Sequence, residues 1–228
     1  MTRLLLLELL IVLAAKKSIT YLSDVQFFAA IVPPMPVLGY AYLQFLVTLA
    51  LIAWLRIRGA RFSDYGIRNF GPLWLFTIIT IAAIATSVIL PTMLDPLLSN
   101  YFGKTPRDLS RFATLVGNLP QFLYVMPLVW IFAAFGEEFL YRGFILENVH
   151  RILGGGNAAM VAAIIVQAVL FGAGHAYQGP VGMIPIAVGG IVYGLLYWAG
   201  GRCLWPLILG HGVVDTIGFT IMFRGGTP

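Results

Sequence analysis

The chain has 228 residues, of which 60% are apolar and only 10% charged, with a formal net charge of +5. A soluble domain carries about 25% charged residues, so this chain could not cover its own surface in water. It calls for hydrocarbon as solvent, where every backbone N–H and C=O must be paired within the protein. The apolar runs are continuous rather than alternating, which excludes a transmembrane barrel in favour of helices. The positive charges are scattered over loops, where they read as membrane orientation and lipid contact and not as a nucleic-acid surface. The expected fold class is therefore all-α: a polytopic transmembrane helix bundle of six to eight helices around an intramembrane polar cavity. It is one integral, multi-pass membrane domain over residues 1–228, placed in the cell membrane if the source is prokaryotic. The single cysteine, Cys203, excludes an internal disulfide.

In chain order, residues 1–36 read as an N-terminal helical or interfacial segment. Leu4 to Ala15 is apolar but short, contains Glu8 and ends at Lys16–Lys17. Ile19 to Val32 is amphipathic, and Pro33, Pro34 and Pro36 break the chain after it. A span needs about 20 mostly apolar residues. Candidates are Val37 to Leu55, Leu73 to Leu94 with Pro91 near its end, Leu119 to Glu147, Ala158 to His175, Val181 to Trp198 and Leu204 to Met222. Arg56, Arg58, Arg61 and Arg68 crowd one turn, and Arg142, Arg151 and Arg202 are expected on the same side. Lys16, Lys17, Lys104, Arg107, Arg111 and Arg224 are expected on the other. Glu147, His150 and Arg151 read as solvated, and Glu8 as interfacial. The tryptophans read as interface or packing residues.

Ionisable residues inside apolar spans are costly and usually functional. Of nine acids and three histidines in the chain, Glu137, Glu138, His175, His211 and Asp215 fall in or at the ends of the last four spans. The Gly154–Gly155–Gly156 turn separates Glu138 and His175 by similar lengths of helix. His211 lies ten residues past Gly201, about 15 Å into a hydrocarbon layer about 30 Å thick. These groups can therefore meet near mid-membrane. Glu138 with Arg142, Phe171 with His175, and His211 with Asp215 are each i,i+4 pairs on one helix face. Adjacent Glu137 and Glu138 point about 100° apart and cannot share a role. A carboxylate in such a site can act as general base on water, and a histidine can stabilise an oxyanion. The same donors also suit zinc, and spacing leaves metal-free and metal-assisted mechanisms both open.

Each pair has a bland reading when taken singly. Glu138–Arg142 is then an ion pair, His175 a histidine bonded to a backbone carbonyl, and His211–Asp215 a helix-to-helix hydrogen bond. Two rival functions also fit intramembrane acids and histidines: a proton-coupled transporter and a non-catalytic scaffold or immunity protein. No internal repeat is visible to support the first.

The three pairs together resemble the motifs of one family. Glu137-Glu138-Phe-Leu-Tyr-Arg142 resembles EExxxR, Phe171-Gly-Ala-Gly-His175 resembles FxxxH, and His211-Gly-Val-Val-Asp215 resembles Hxxx(N/D/B). These belong to the CAAX protease and bacteriocin-processing (CPBP, or ABI) family, related to the type II CAAX prenyl protease. The resemblance covers the core helices, 119–222. It implies an intramembrane peptidase in which Glu137 activates water and Glu138 supports it by holding Arg142. His175 would hold or polarise the water, and His211 with Asp215 would form the oxyanion side. It implies no metal; if one binds, Glu137, His175 and His211 are the ligands and zinc the ion. The implied partners are the lipid bilayer and a lipidated or membrane-associated peptide. Asp215 stands where prenyl-protein proteases typically carry Asn, which loosens the link to prenylated CAAX substrates.

Overall fold

In the computed structural model residues 2–23 and 36–227 are described. Seven long helices run through them: α1 (Thr2–Ser23), α2 (Pro36–Ile57), α3 (Leu73–Tyr101), α4 (Leu119–Ile152), α5 (Gly156–Ala173), α6 (Gly179–Ala199) and α7 (Trp205–Phe223). The last five are long and apolar enough to cross a membrane. On α3 only 17% of the most apolar window is buried; Ile78, Ile81 and Ile89 point outward. Large apolar side chains can stay exposed in this way only when lipid is the solvent. The chain is a multi-pass integral membrane protein.

Three expected boundaries change. The apolar run from Leu4 does not stop at Lys16–Lys17: α1 continues through both lysines to Ser23. The remainder of the expected interfacial segment, 24–35, lies outside the described residues. Pro91 does not end α3, which carries both Pro91 and Pro96 within it. Neighbouring helices in a bundle make such prolines tolerable. The third expected span runs five residues further, to Ile152.

α4 is the most irregular helix and the most important. Asn118 caps it, its side-chain oxygen accepting from Gln121 N–H at 3.2 Å, with Pro120 in the first turn where its missing N–H costs nothing. Pro127 lies within the helix, and two residues later the winding widens into a π stretch, Val129–Phe135. One α-turn, Gly136–Glu138, follows, and then a second π stretch, Phe139–Leu146. Wide turns of this kind break the 3.6-residue register and re-aim the side chains beyond them, often at functional sites. Here they flank the paired glutamates.

α5 and α6 approach closely through small residues. A methyl at Gly172 would come within 2.6 Å of Ala187 Cβ, and one at Gly190 within 3.1 Å of Ala168 Cα. This is the small-residue packing used where lipid removes the hydrophobic drive between helices. Gln167 Nε2 donates across the same contact to Gly190 O at 2.7 Å.

One end of the bundle is tied by polar contacts. Leu204 N–H donates to Gly66 O at 3.0 Å, and Arg151 donates to Asp64 O. Arg151 and Arg202 thus do share the side of Arg56–Arg68, but Arg142, expected there too, is 1% exposed inside the bundle. Glu147 also departs from expectation. It is completely buried, accepting from Arg202 Nε at 2.7 Å and from Tyr197 OH at 2.9 Å, with Arg151 3.7 Å away. Glu8 is likewise buried, bonded by Trp54 Nε1 at 2.8 Å and paired with Arg58 at 3.2 Å, so it staples α1 to α2. Glu147 has polar neighbours in sequence and Glu8 lies in a leucine run, and distant partners satisfy both inside the bundle.

Cys203 is buried at this end, its thiol donating to Arg68 O at 3.2 Å, and burial pushes its pKa up. It is therefore a protected thiol that reports unfolding. Glu147→Gln should destabilise the protein by about 2–3 kcal/mol, below the figure for fully buried pairs because Arg202 remains 31% exposed. The check is a thermal ramp with a thiol-reactive fluorophore in detergent: Cys203 should label at a lower temperature than in wild type.

Candidate active site

The polar residues singled out in the sequence converge on one cavity of about 640 Å³. It is lined by Glu137, Glu138, Arg142, Phe171, His175, His211 and Asp215, from α4, the end of α5 and α7. None of the seven is turned to lipid. The two glutamates differ as their 100° separation requires. Glu138 is fully buried, and its Oε1 accepts from Arg142 at 3.1 Å and from His211 Nδ1 at 2.9 Å. Glu137 is half-buried and accepts a hydrogen bond from Gln44 Nε2 at 3.1 Å.

Arg142 is held on three sides. Besides Glu138, its guanidinium lies 4.3 Å from the centroid of the Phe171 ring and 5.1 Å from that of Tyr193. Stacking of a weakly hydrated planar cation on aromatic faces makes Arg, rather than Lys, suited to such burial. The Phe171 of FxxxH is thus a platform for the arginine of EExxxR.

His175 lies just past the end of α5 rather than on it. The i,i+4 relation to Phe171 survives the helix end: His175 Nδ1 is 2.9 Å from Phe171 O, and the rings meet edge-on at 4.9 Å. A carbonyl only accepts, so Nδ1 carries the proton and Nε2 is left with its lone pair. The bland reading of His175 is correct for one ring nitrogen and leaves the other available. No direct hydrogen bond joins Glu137 to His175 among the described residues. Their charges nonetheless interact, as do those of His175 and His211. His211 Nε2 lies 3.5 Å from Asp215. That is an ion-pair distance and too long for a strong hydrogen bond.

Two residues that sequence reasoning did not assign reach the site from the N-terminal helices. Gln44 of α2 is 4% exposed and orients Glu137. Lys16 of α1 lines the cavity, donates to Tyr141 OH, and interacts electrostatically with Glu137. It was expected at the membrane face; the continuation of α1 carries it inward instead. A polar residue in mid-span was the available signal for Gln44. Lys16 had none, because a lysine after a short apolar run looks like an interfacial anchor. Tyr177 and Arg111 also line the cavity, the guanidinium 4.4 Å from the ring centroid.

As metal ligands Glu137, His175 and His211 do not fit: among the described residues no three His, Cys, Asp or Glu side chains are grouped as a metal would require.

A cavity of acids and histidines sunk in a helical membrane bundle defines the chain as an intramembrane polar-site protein. Residues 119–217 match the family model for the type II CAAX prenyl endopeptidase, Rce1-like, and that stretch contains every motif residue named above. Over those residues the chain is similar to that endopeptidase family. No curated protein and no solved structure matches it significantly.

Arg142→Met should cost about 3–5 kcal/mol, because it leaves the Glu138 carboxylate buried without its counter-ion. Arg142→Lys should recover only part of this, since an ammonium cannot lie flat between two rings. The double variant Glu138→Gln/Arg142→Met should be more stable than Arg142→Met alone. Equal melting of wild type and Arg142→Met, read by Cys203 labelling, would remove the pair from its structural role.

Proposed function

We propose that the protein is an intramembrane endopeptidase that hydrolyses a peptide bond near the end of a lipidated or otherwise membrane-associated substrate, prenylated CAAX peptides being the class to test first. The observation that carries this reading is the division of labour between adjacent carboxylates. Glu138 is consumed by Arg142 and His211, while Glu137 is oriented by Gln44 and faces the cavity. A general base must be held and still reachable.

In the proposed reaction a water sits between Glu137 and His175. His175 Nε2 accepts one of its protons in a hydrogen bond, fixed in that tautomer by Phe171 O. Glu137 removes the other proton as the water oxygen bonds to the scissile carbonyl carbon. The carbonyl π electrons move to oxygen, and His211, which in this step is the imidazolium with Nδ1–H on Glu138, donates its Nε2–H to that oxyanion, being only loosely engaged by Asp215. Glu137 then returns its proton to the leaving amine as the C–N bond breaks. The chemistry needs no metal ion.

The test is cleavage of a fluorogenic prenylated CAAX peptide by purified protein in detergent. Glu137→Ala should lower kcat by about 10²–10⁴-fold, the usual contribution of a general base, and a chelator should leave wild-type activity intact. Undiminished cleavage by Glu137→Ala overturns the assignment of the base. Loss of wild-type activity with chelator transfers water activation to a metal.

A further inference from the structure

Several of the charges around the cavity have partners within ion-pair distance. Arg142 is bonded to Glu138, Arg107 to Asp95 at 3.1 Å, and His211 lies between Glu138 and Asp215. Lys16 is within electrostatic reach of Glu137. Arg111 also lines the cavity, yet among the described residues no carboxylate lies within ion-pair distance of it. Asp108, three residues earlier, is exposed, accepts from Ser110 N–H at 2.9 Å and interacts with Arg111 only at longer range, through solvent.

Arg111 nonetheless has a fixed contact in the structure, with the Tyr177 ring. Its guanidinium stacks 4.4 Å from the centroid of Tyr177, and that ring lies 6.1 Å from the ring of His175. A guanidinium held by its face keeps its N–H edge free, and that edge matches a carboxylate in a bidentate pair. Three residues of extended chain span about 10 Å, and the two contacts allow little more than this between Arg111 and His175.

We infer that Arg111 is a specificity-determining residue that binds the free α-carboxylate of the substrate, with the scissile bond about three residues upstream at Glu137 and His175. The inference rests on the peptidase reading above and says which end of the substrate enters this part of the cavity. It also assigns a purpose to the 102–118 loop, which lies outside the three motifs and holds Arg111 over Tyr177. A lipid phosphate offers the same anion chemistry, and the test separates the two.

The measurement is equilibrium binding, by fluorescence anisotropy, of a labelled farnesylated CAAX tetrapeptide to full-length Glu137→Gln protein in lipid nanodiscs. The peptide is compared as free acid and as C-terminal amide. The acid should bind about tenfold tighter, the strength of a charge-assisted pair. Arg111→Gln on the same background should bring the acid down to the affinity of the amide while leaving amide binding unchanged, and Arg111→Lys should restore part of the preference. Lack of any preference for the acid overturns the inference, including lack of binding and including occupation of Arg111 by lipid phosphate. So does a preference that survives Arg111→Gln, or an equal loss for both peptides. Cys203 protection confirms that each variant is folded. None of these outcomes touches the peptidase reading, which stands or falls on cleavage by Glu137→Ala.

Discussion

The bundle is organised around one buried ion pair. Glu138 and Arg142 sit one turn apart on α4, with almost no exposure for either. Taking two charges out of water costs several kcal/mol each, and attraction repays this only when further contacts complete the pair. The contacts here come from three other helices: Phe171 of α5, Tyr193 of α6 and His211 of α7. The pair therefore cannot be satisfied until four helices are in place. A purely apolar seam in lipid has little preference for one partner or rotation over another; this polar centre supplies that preference.

The same pair separates two chemically identical neighbours. Had both glutamates faced the same way, they would have competed for the same cation. The α-turn between the two π stretches sends Glu138 into the knot and Glu137 to the cavity wall. Structure and proposed chemistry are thus divided between adjacent residues. The supporting acid takes the cation, and the proposed reaction assigns water to the other.

The fold class and the apolar spans were legible because hydrocarbon imposes a coarse and unambiguous code on length and composition. The site residues were legible because ionisable groups are rare in such spans: Glu137, Glu138, His175, His211 and Asp215 stood out by cost alone. The misses share a cause. Glu147 looked solvated because its neighbours are polar, and its burial depends on Arg202, 55 residues later. Lys16 looked interfacial because the helix that carries it continues past the end of its apolar run. The π stretches left no local sign beyond Pro127. In each case the deciding information is a tertiary contact, which short-range pattern does not contain.

The size of the cavity also bears on how a substrate would be chosen. A space of about 640 Å³ between the helices and the 102–118 loop has room for a length of extended chain and none for a folded domain. A terminus docked on its own protein can enter only in the moments when it is frayed, and such local openings range in free energy from near zero to the full stability of the fold. Under the proposed function, selection at this site would begin in the substrate, before any side chain here is touched. Two proteins with identical final residues would be processed at rates set by how tightly each keeps its own tail.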